Sequence, residues 1–120
     1  FLDTLPCNAH TTASDALWAR LPLVTCSGRG FAARVAGSLL QAVGLPELIA
    51  GDLAAYETLA LDLARAPQRL AAIREKLRGN RVTFPLFDTT RLCRALESAY
   101  RTMWDIHLSG GKPRSFNIDP

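Results

Sequence analysis

The run Asn8-Ala9-His10-Thr11-Thr12-Ala13-Ser14-Asp15-Ala16-Leu17-Trp18-Ala19 decides the reading of this chain. A short apolar start, Phe1-Leu2, precedes it, and a second apolar run, Pro22-Leu23-Val24-Thr25-Cys26, follows it. That order predicts a strand end, a polar turn, a helix of about three turns and another strand. A turn that leads straight into a helix leaves the first N–H groups without intrahelical acceptors, and positive partial charge gathers there. Both features suit a phosphate, and Thr11 and Thr12 add two hydroxyls that can donate to one. Asp15 lies four residues after Thr11, on the same helix face one turn further in. A carboxylate in that place can accept hydrogen bonds from a ribose whose phosphates rest on the helix start.

The residues alone also admit a plainer reading. Threonine at a helix start is commonly a cap contributing roughly 0.5–2 kcal/mol. An acid in the first two turns is commonly a dipole partner. A single histidine such as His10 has no metal-binding companion nearby and usually packs or caps.

Resemblance to a known family separates these readings. Leu2-Asp3-Thr4, Cys7-Asn8-Ala9-His10-Thr11-Thr12 and Asp15-Ala16-Leu17-Trp18-Ala19 resemble the donor-binding lobe of O-linked N-acetylglucosamine transferases. That protein-modifying glycosyltransferase family includes bacterial enzymes and the plant SPINDLY proteins. Later blocks resemble the same C-terminal catalytic region in the same order: Pro22-Leu23-Val24-Thr25, Phe31-Ala32-Ala33-Arg34-Val35-Ala36, Gly44-Leu45-Pro46-Glu47-Leu48-Ile49-Ala50, Pro85-Leu86-Phe87-Asp88-Thr89 and Tyr100-Arg101-Thr102-Met103-Trp104.

The resemblance implies an α/β fold, the C-terminal part of a Rossmann-like lobe in a two-lobed, GT-B type glycosyltransferase. Residues 1–120 would then be a single domain and a fragment of a larger enzyme. His10, Thr11 and Thr12 would hold the diphosphate of UDP-GlcNAc, Asp15 the ribose, and Cys7 and Asn8 would lie near the site. No residue of the chain is expected to be the catalytic base, and neither a metal nor another cofactor is expected. The acceptor would be a protein reached through upstream regions, with helical repeats in the parent. GDP-fucose as donor, and a non-catalytic module that keeps only the fold, are the two alternatives. Two departures stand out: Gly28-Arg29-Gly30 replaces the family's usual Gly-Glu-Thr, and Arg20 stands where relatives generally have glycine.

At 120 residues, the chain suits one domain or lobe with a real core. A hydrophobic fraction of 48% and a charged fraction of 21% are ordinary for a globular protein. No apolar stretch approaches the roughly 18 residues that span a bilayer. Phe1-Leu2-Asp3 lacks the basic start and apolar block of a secretion signal. Cys7, Cys26 and Cys93 are odd in number and widely spaced, which reads as free thiols in a cytoplasmic protein rather than a zinc or redox pair. The net charge of +3 is modest. The densest basic stretch, Arg65 to Arg81, lacks interleaved aromatics and reads as a solvated helix face rather than a nucleic-acid surface.

Beyond Gly28, helices dominate. Phe31 to Val43 predicts one helix with Phe31, Val35, Leu39 and Val43 facing the core, ended by Gly44 and Pro46. Glu47-Leu48-Ile49-Ala50 reads as an edge strand. Asp52 caps the next helix, which carries Leu53, Tyr56, Leu59, Ala60 and Leu63; Pro67 breaks it or starts its successor, and Gly79-Asn80 ends that one. Asp88 caps a last helix with Leu92, Leu96, Tyr100, Met103 and His107 on one side, closed by Gly110-Gly111. Short apolar runs alternating with helices imply a few parallel strands. Trp18 and Trp104 read as core or lobe contacts, Arg34 as the partner of a nearby acid, and His107 as a cation at a helix C-terminus.

Overall fold

Every residue from Pro22 to Cys26 is buried, as a strand covered on both faces must be. In the computed structural model, which describes residues 1–118, this run supplies β1, Thr25–Cys26. β1 pairs in parallel with β2, Ile49–Ala50, in the register Thr25 to Ile49 and Cys26 to Ala50. The expected strand at Phe1-Leu2 is reduced to one parallel bridge, Leu2 to Val24. The reason is local. Asp3 N–H donates to Val24 O at 3.0 Å, and its carboxylate then draws the chain away into a loop, so the ladder stops after one step.

Helices surround this small sheet: α1 (Thr11–Trp18), α2 (Val35–Ala42), α3 (Leu53–Arg65) and α4 (Pro67–Thr83). Ala13 and Leu17 from α1, Leu23 and Val24, Ala36 and Leu40 from α2, Leu63 from α3, and Ile73 and Leu77 from α4 meet in one core. Asp52 caps α3 by accepting from Ala55 N–H at 2.8 Å. Pro67 both ends α3 and opens α4 as its first residue, where its missing N–H costs nothing.

Two expectations fail for instructive reasons. The predicted helix over Phe31 to Val43 begins as a 3-10 turn, Phe31–Ala33, and becomes α-helical only at Val35. The tighter turn shifts the phase. The buried face is therefore Ala33, Ala36, Leu40 and the expected Val43, with Leu39 packed partly buried against the core, while Phe31 stays 83% exposed. Gly79-Asn80 does not stop α4, which runs on to Thr83. Asn80 instead serves another helix: its Nδ2 donates to Val43 O at 2.9 Å and Gly44 O at 3.2 Å, closing the end of α2. Gly44 adopts φ +73°, and a Cβ there would overlap the Phe84 ring and sit 2.7 Å from Asn80 Nδ2, so only glycine fits.

Phe1 to Phe87 forms one compact unit and the chain from Asp88 another. In the second, α5 (Thr89–Leu108) is capped by Asp88, whose Oδ1 accepts from Arg91 N–H at 2.9 Å. Gly110, at φ +73°, ends it. Its apolar stripe of Leu92, Leu96, Tyr100 and Met103 is exposed. Among the described residues, no helix is long and apolar enough to cross a membrane.

Candidate functional site

The loop between Leu2 and α1 is organised by Asp3. Asp3 is buried, and its Oδ1 accepts from Thr4 N–H at 2.9 Å and Ala9 N–H at 2.7 Å. Its Oδ2 accepts from the Thr25 hydroxyl at 2.6 Å, which ties the loop to β1. Tyr56 of α3 donates its hydroxyl to Asp3 O at 2.8 Å. Burial raises the Tyr56 pKa, with the Asp3 charge and then Cys26 adding to the effect. Asn8 is buried beside this hub, its N–H bonded to Ala32 O at 2.8 Å and its Nδ2 to Thr4 O at 3.2 Å. Its Oδ1 is buried with no partner among the described residues. In the sequence Asp3 belongs to the Leu2-Asp3-Thr4 block and follows an apolar run, but nothing there gives its role as the holder of this loop.

This hub presents the start of α1. His10 is the N-cap residue but makes no side-chain cap, and the first helical bond is Ser14 N–H to His10 O at 3.1 Å. The N–H groups of Thr11, Thr12 and Ala13 therefore have no acceptor within the helix. Thr11, Thr12 and Asp15 are all exposed, with Asp15 one turn beyond Thr11. The capping role that Thr11 and Thr12 could have had is not taken up. His10 packs edge-on against Phe31, ring centroids 6.1 Å apart, with Nε2 3.4 Å from Ala32 O. Cys7 is exposed, and its thiol lies 3.7 Å from Asn8 O.

Next to Phe31 lies a cleft of about 640 Å³. Ser27 and Arg29 from the loop after β1, Phe31, and Arg34, Ser38 and Gln41 along α2 line it. The loop approaches α2 closely at Gly37, where a Cβ would sit 3.2 Å from Ser27 Oγ. Arg34 was expected to pair with a neighbouring acid. Among the described residues it has none, and it lines the cleft with Arg29 instead.

Other residues settle into structural places. Trp18 is 55% exposed rather than a core residue: it packs against Phe87 at 5.1 Å and lies under the Arg81 guanidinium at 4.5 Å. Arg81 also donates to Trp18 O at 2.6 Å, so it caps the end of α1. Trp104 is exposed and lies against His107 in the last turn of α5, with ring centroids 5.5 Å apart. Apart from Arg81, the basic stretch on α4 is a solvated face, with Lys76 bonded to Glu47 at 2.6 Å and Arg78 Nε to Glu75 at 2.9 Å. Glu75 is held below its usual pKa by the hydrogen bond from Arg78. Arg20 has φ 64°, in the left-handed region that favours glycine.

Comparison with known proteins adds a second line of support. Residues 1–96 match the profile of glycosyl transferase family 41. A probable UDP-N-acetylglucosamine–peptide N-acetylglucosaminyltransferase SEC of Arabidopsis thaliana is 45% identical over 98% of this chain and 12% of its own length. A SPINDLY protein of Oryza sativa, named as a probable enzyme of the same activity, is 40% identical over 98% of this chain and 13% of its own. An O-GlcNAc transferase mutant from Thermobaculum terrenum has a solved structure that superimposes with a TM-score of 0.79 at 41% identity. That match covers 86% of this chain and 20% of the other. The chain thus spans about an eighth of these curated relatives and a fifth of the solved one. Its small parallel sheet with flanking helices is a fragment of the Rossmann-like, GT-B lobe of such enzymes.

Proposed function

The chain belongs to glycosyl transferase family 41, and from that premise we propose that it is the donor-binding portion of a cytoplasmic protein O-GlcNAc transferase. The donor is UDP-GlcNAc and the acceptors are Ser and Thr side chains of proteins. One observation carries the reading: the start of α1 is uncapped and open, with Thr11 and Thr12 exposed on it and Asp15 one turn behind. α1 follows a chain that runs parallel to β1, so its start belongs to the carboxyl edge of the sheet, where α/β folds bind ligands.

In this reading His10, Thr11 and Thr12 hold the diphosphate and Asp15 accepts from the ribose. Asn8 and Cys7 shape the turn beside them. Transfer turns the diphosphate into a leaving group, so N–H and hydroxyl donors aimed at it gain strength as its charge grows. That division of labour asks for no metal, and the base that activates the acceptor lies outside these residues. Titration with UDP, followed by amide shifts, tests it. Thr11, Thr12 and Asp15 signals are expected to move at millimolar UDP, with no transfer by this chain alone. Unmoved signals would overturn the assignment, and a response to GDP but not UDP would point to a fucosyl donor instead.

A further inference from the structure

The cleft beside Phe31 has a chemistry that the donor reading does not use. Its walls bring together two guanidinium groups, Arg29 and Arg34, two hydroxyls, Ser27 and Ser38, and the Gln41 amide. Among the described residues, neither arginine has an acid within 4.0 Å and neither guanidinium makes a hydrogen bond. The floor is the first turn of α2, whose N-cap position, Arg34, makes no side-chain cap. Unpaired guanidinium groups, hydroxyls and an amide all offer protons, and the five lining polar side chains include no carboxylate. At about 640 Å³ the space matches a small-molecule site.

We propose that this cleft is a binding site for a phosphate monoester, separate from the start of α1. A carboxylate would use only part of the available donors. A tetrahedral dianion uses two arginine forks and the serine hydroxyls together. Phe31, 83% exposed on the rim, gives an organic substituent on that phosphate a ring to lie against. The same Phe31 touches His10, so an occupant sits beside the α1 start without needing it. The proposal holds whether or not the donor assignment is correct.

The test titrates the full chain with phenyl phosphate and with inorganic phosphate, following Arg Nε–H and backbone amide signals. Signals of Arg29, Arg34 and Ser38 are expected to move, and phenyl phosphate is expected to bind more tightly than phosphate. Arg29→Glu and Arg34→Gln should each weaken binding about tenfold or more, as the loss of a charge-assisted bond does. Both side chains are exposed and free of internal bonds, so both variants keep the fold. Arg65→Gln, which removes an exposed charge from α3, should change nothing. A phosphoserine peptide that outcompetes phenyl phosphate would identify a modified polypeptide as the source; the reverse would identify a small phosphorylated metabolite. Shifts confined to Thr11 and Thr12, equal weakening by Arg65→Gln, or no cleft response at tens of millimolar phosphate would each overturn the proposal.

Discussion

The starts of α1 and α3 look alike in sequence and do opposite things. Each follows a short parallel segment, and each has a polar residue where a cap belongs. At α3, Asp52 turns back and accepts from Ala55 N–H at 2.8 Å, so the helix start is satisfied internally. At α1, His10 makes no such bond and both threonines face solvent. A satisfied start contributes stability; an open one leaves its donors for something else. The difference lies in what precedes each helix. The α1 loop is fixed by Asp3 from behind, so the helix start does not need to hold itself.

Removing Asp3 is therefore the most drastic way to break the contrast. Asp3→Ala strips acceptors from Ala9 N–H, Thr4 N–H and the buried Thr25 hydroxyl. Thr4 is exposed and its N–H can turn to water, whereas the Ala9 N–H and the Thr25 hydroxyl are left inside at about 1–3 kcal/mol each, so a loss of about 2–6 kcal/mol is expected. Thermal unfolding should show it, and UDP affinity should fall in the same variant, because the loop that aims α1 loosens. Unchanged stability would mean that the loop is held by packing alone.

The next two variants form a crossed pair. Thr11→Ala with Thr12→Ala should leave stability within about 0.5 kcal/mol, since neither caps the helix. The same double variant should lower UDP affinity ten- to hundredfold, a loss of roughly 1.5–3 kcal/mol for hydrogen bonds to a charged group. Asp52→Ala should do the reverse, costing about 1 kcal/mol of stability with UDP affinity unchanged. Denaturant unfolding and UDP titration on both variants give four readings. A stability loss in the threonine variant equal to that of Asp52→Ala would return Thr11 and Thr12 to plain capping.

The same contrast marks what could be read from residues in order. Asp52 and Asp88 were legible as caps because a capping acid and the apolar period behind it lie within a few residues of each other. The α1 turn was legible as a motif, but Asp3, which holds it, was not, because its partners Thr25 and Tyr56 come from distant elements. Phase failed at Phe31, where a 3-10 turn leaves that ring exposed and brings Ala33, Ala36 and Leu40 inward, while Val43 is buried and Leu39 packs against the core as expected. Asn80 misled for a related reason: a residue that ends helices ended a different helix from its own. The cleft was invisible, since Ser27 and Arg29 reach Arg34 and Gln41 only through the close approach at Gly37.

The smallest effect concerns the other end of α1. α2 and α5 close on glycines at φ +73°, Gly44 and Gly110, whereas α1 closes on Arg20 at φ 64°. A side chain in the left-handed region costs roughly 1–2 kcal/mol. Arg20 makes no ion pair within 4.0 Å among the described residues, and its charge acts only at longer range on the exposed Glu75, too weakly to offset this. Glycine relieves the strain, but it also releases more backbone entropy on unfolding, worth roughly 0.5–1 kcal/mol against the folded state. Arg20→Gly is thus expected to stabilise by about 0.5–1 kcal/mol, the difference between those terms. The end of α1 is held independently by Arg81, which donates to Trp18 O, so UDP affinity at the far end of the helix should not change. A destabilised Arg20→Gly would show that the arginine side chain does work at this turn that its strained backbone conceals.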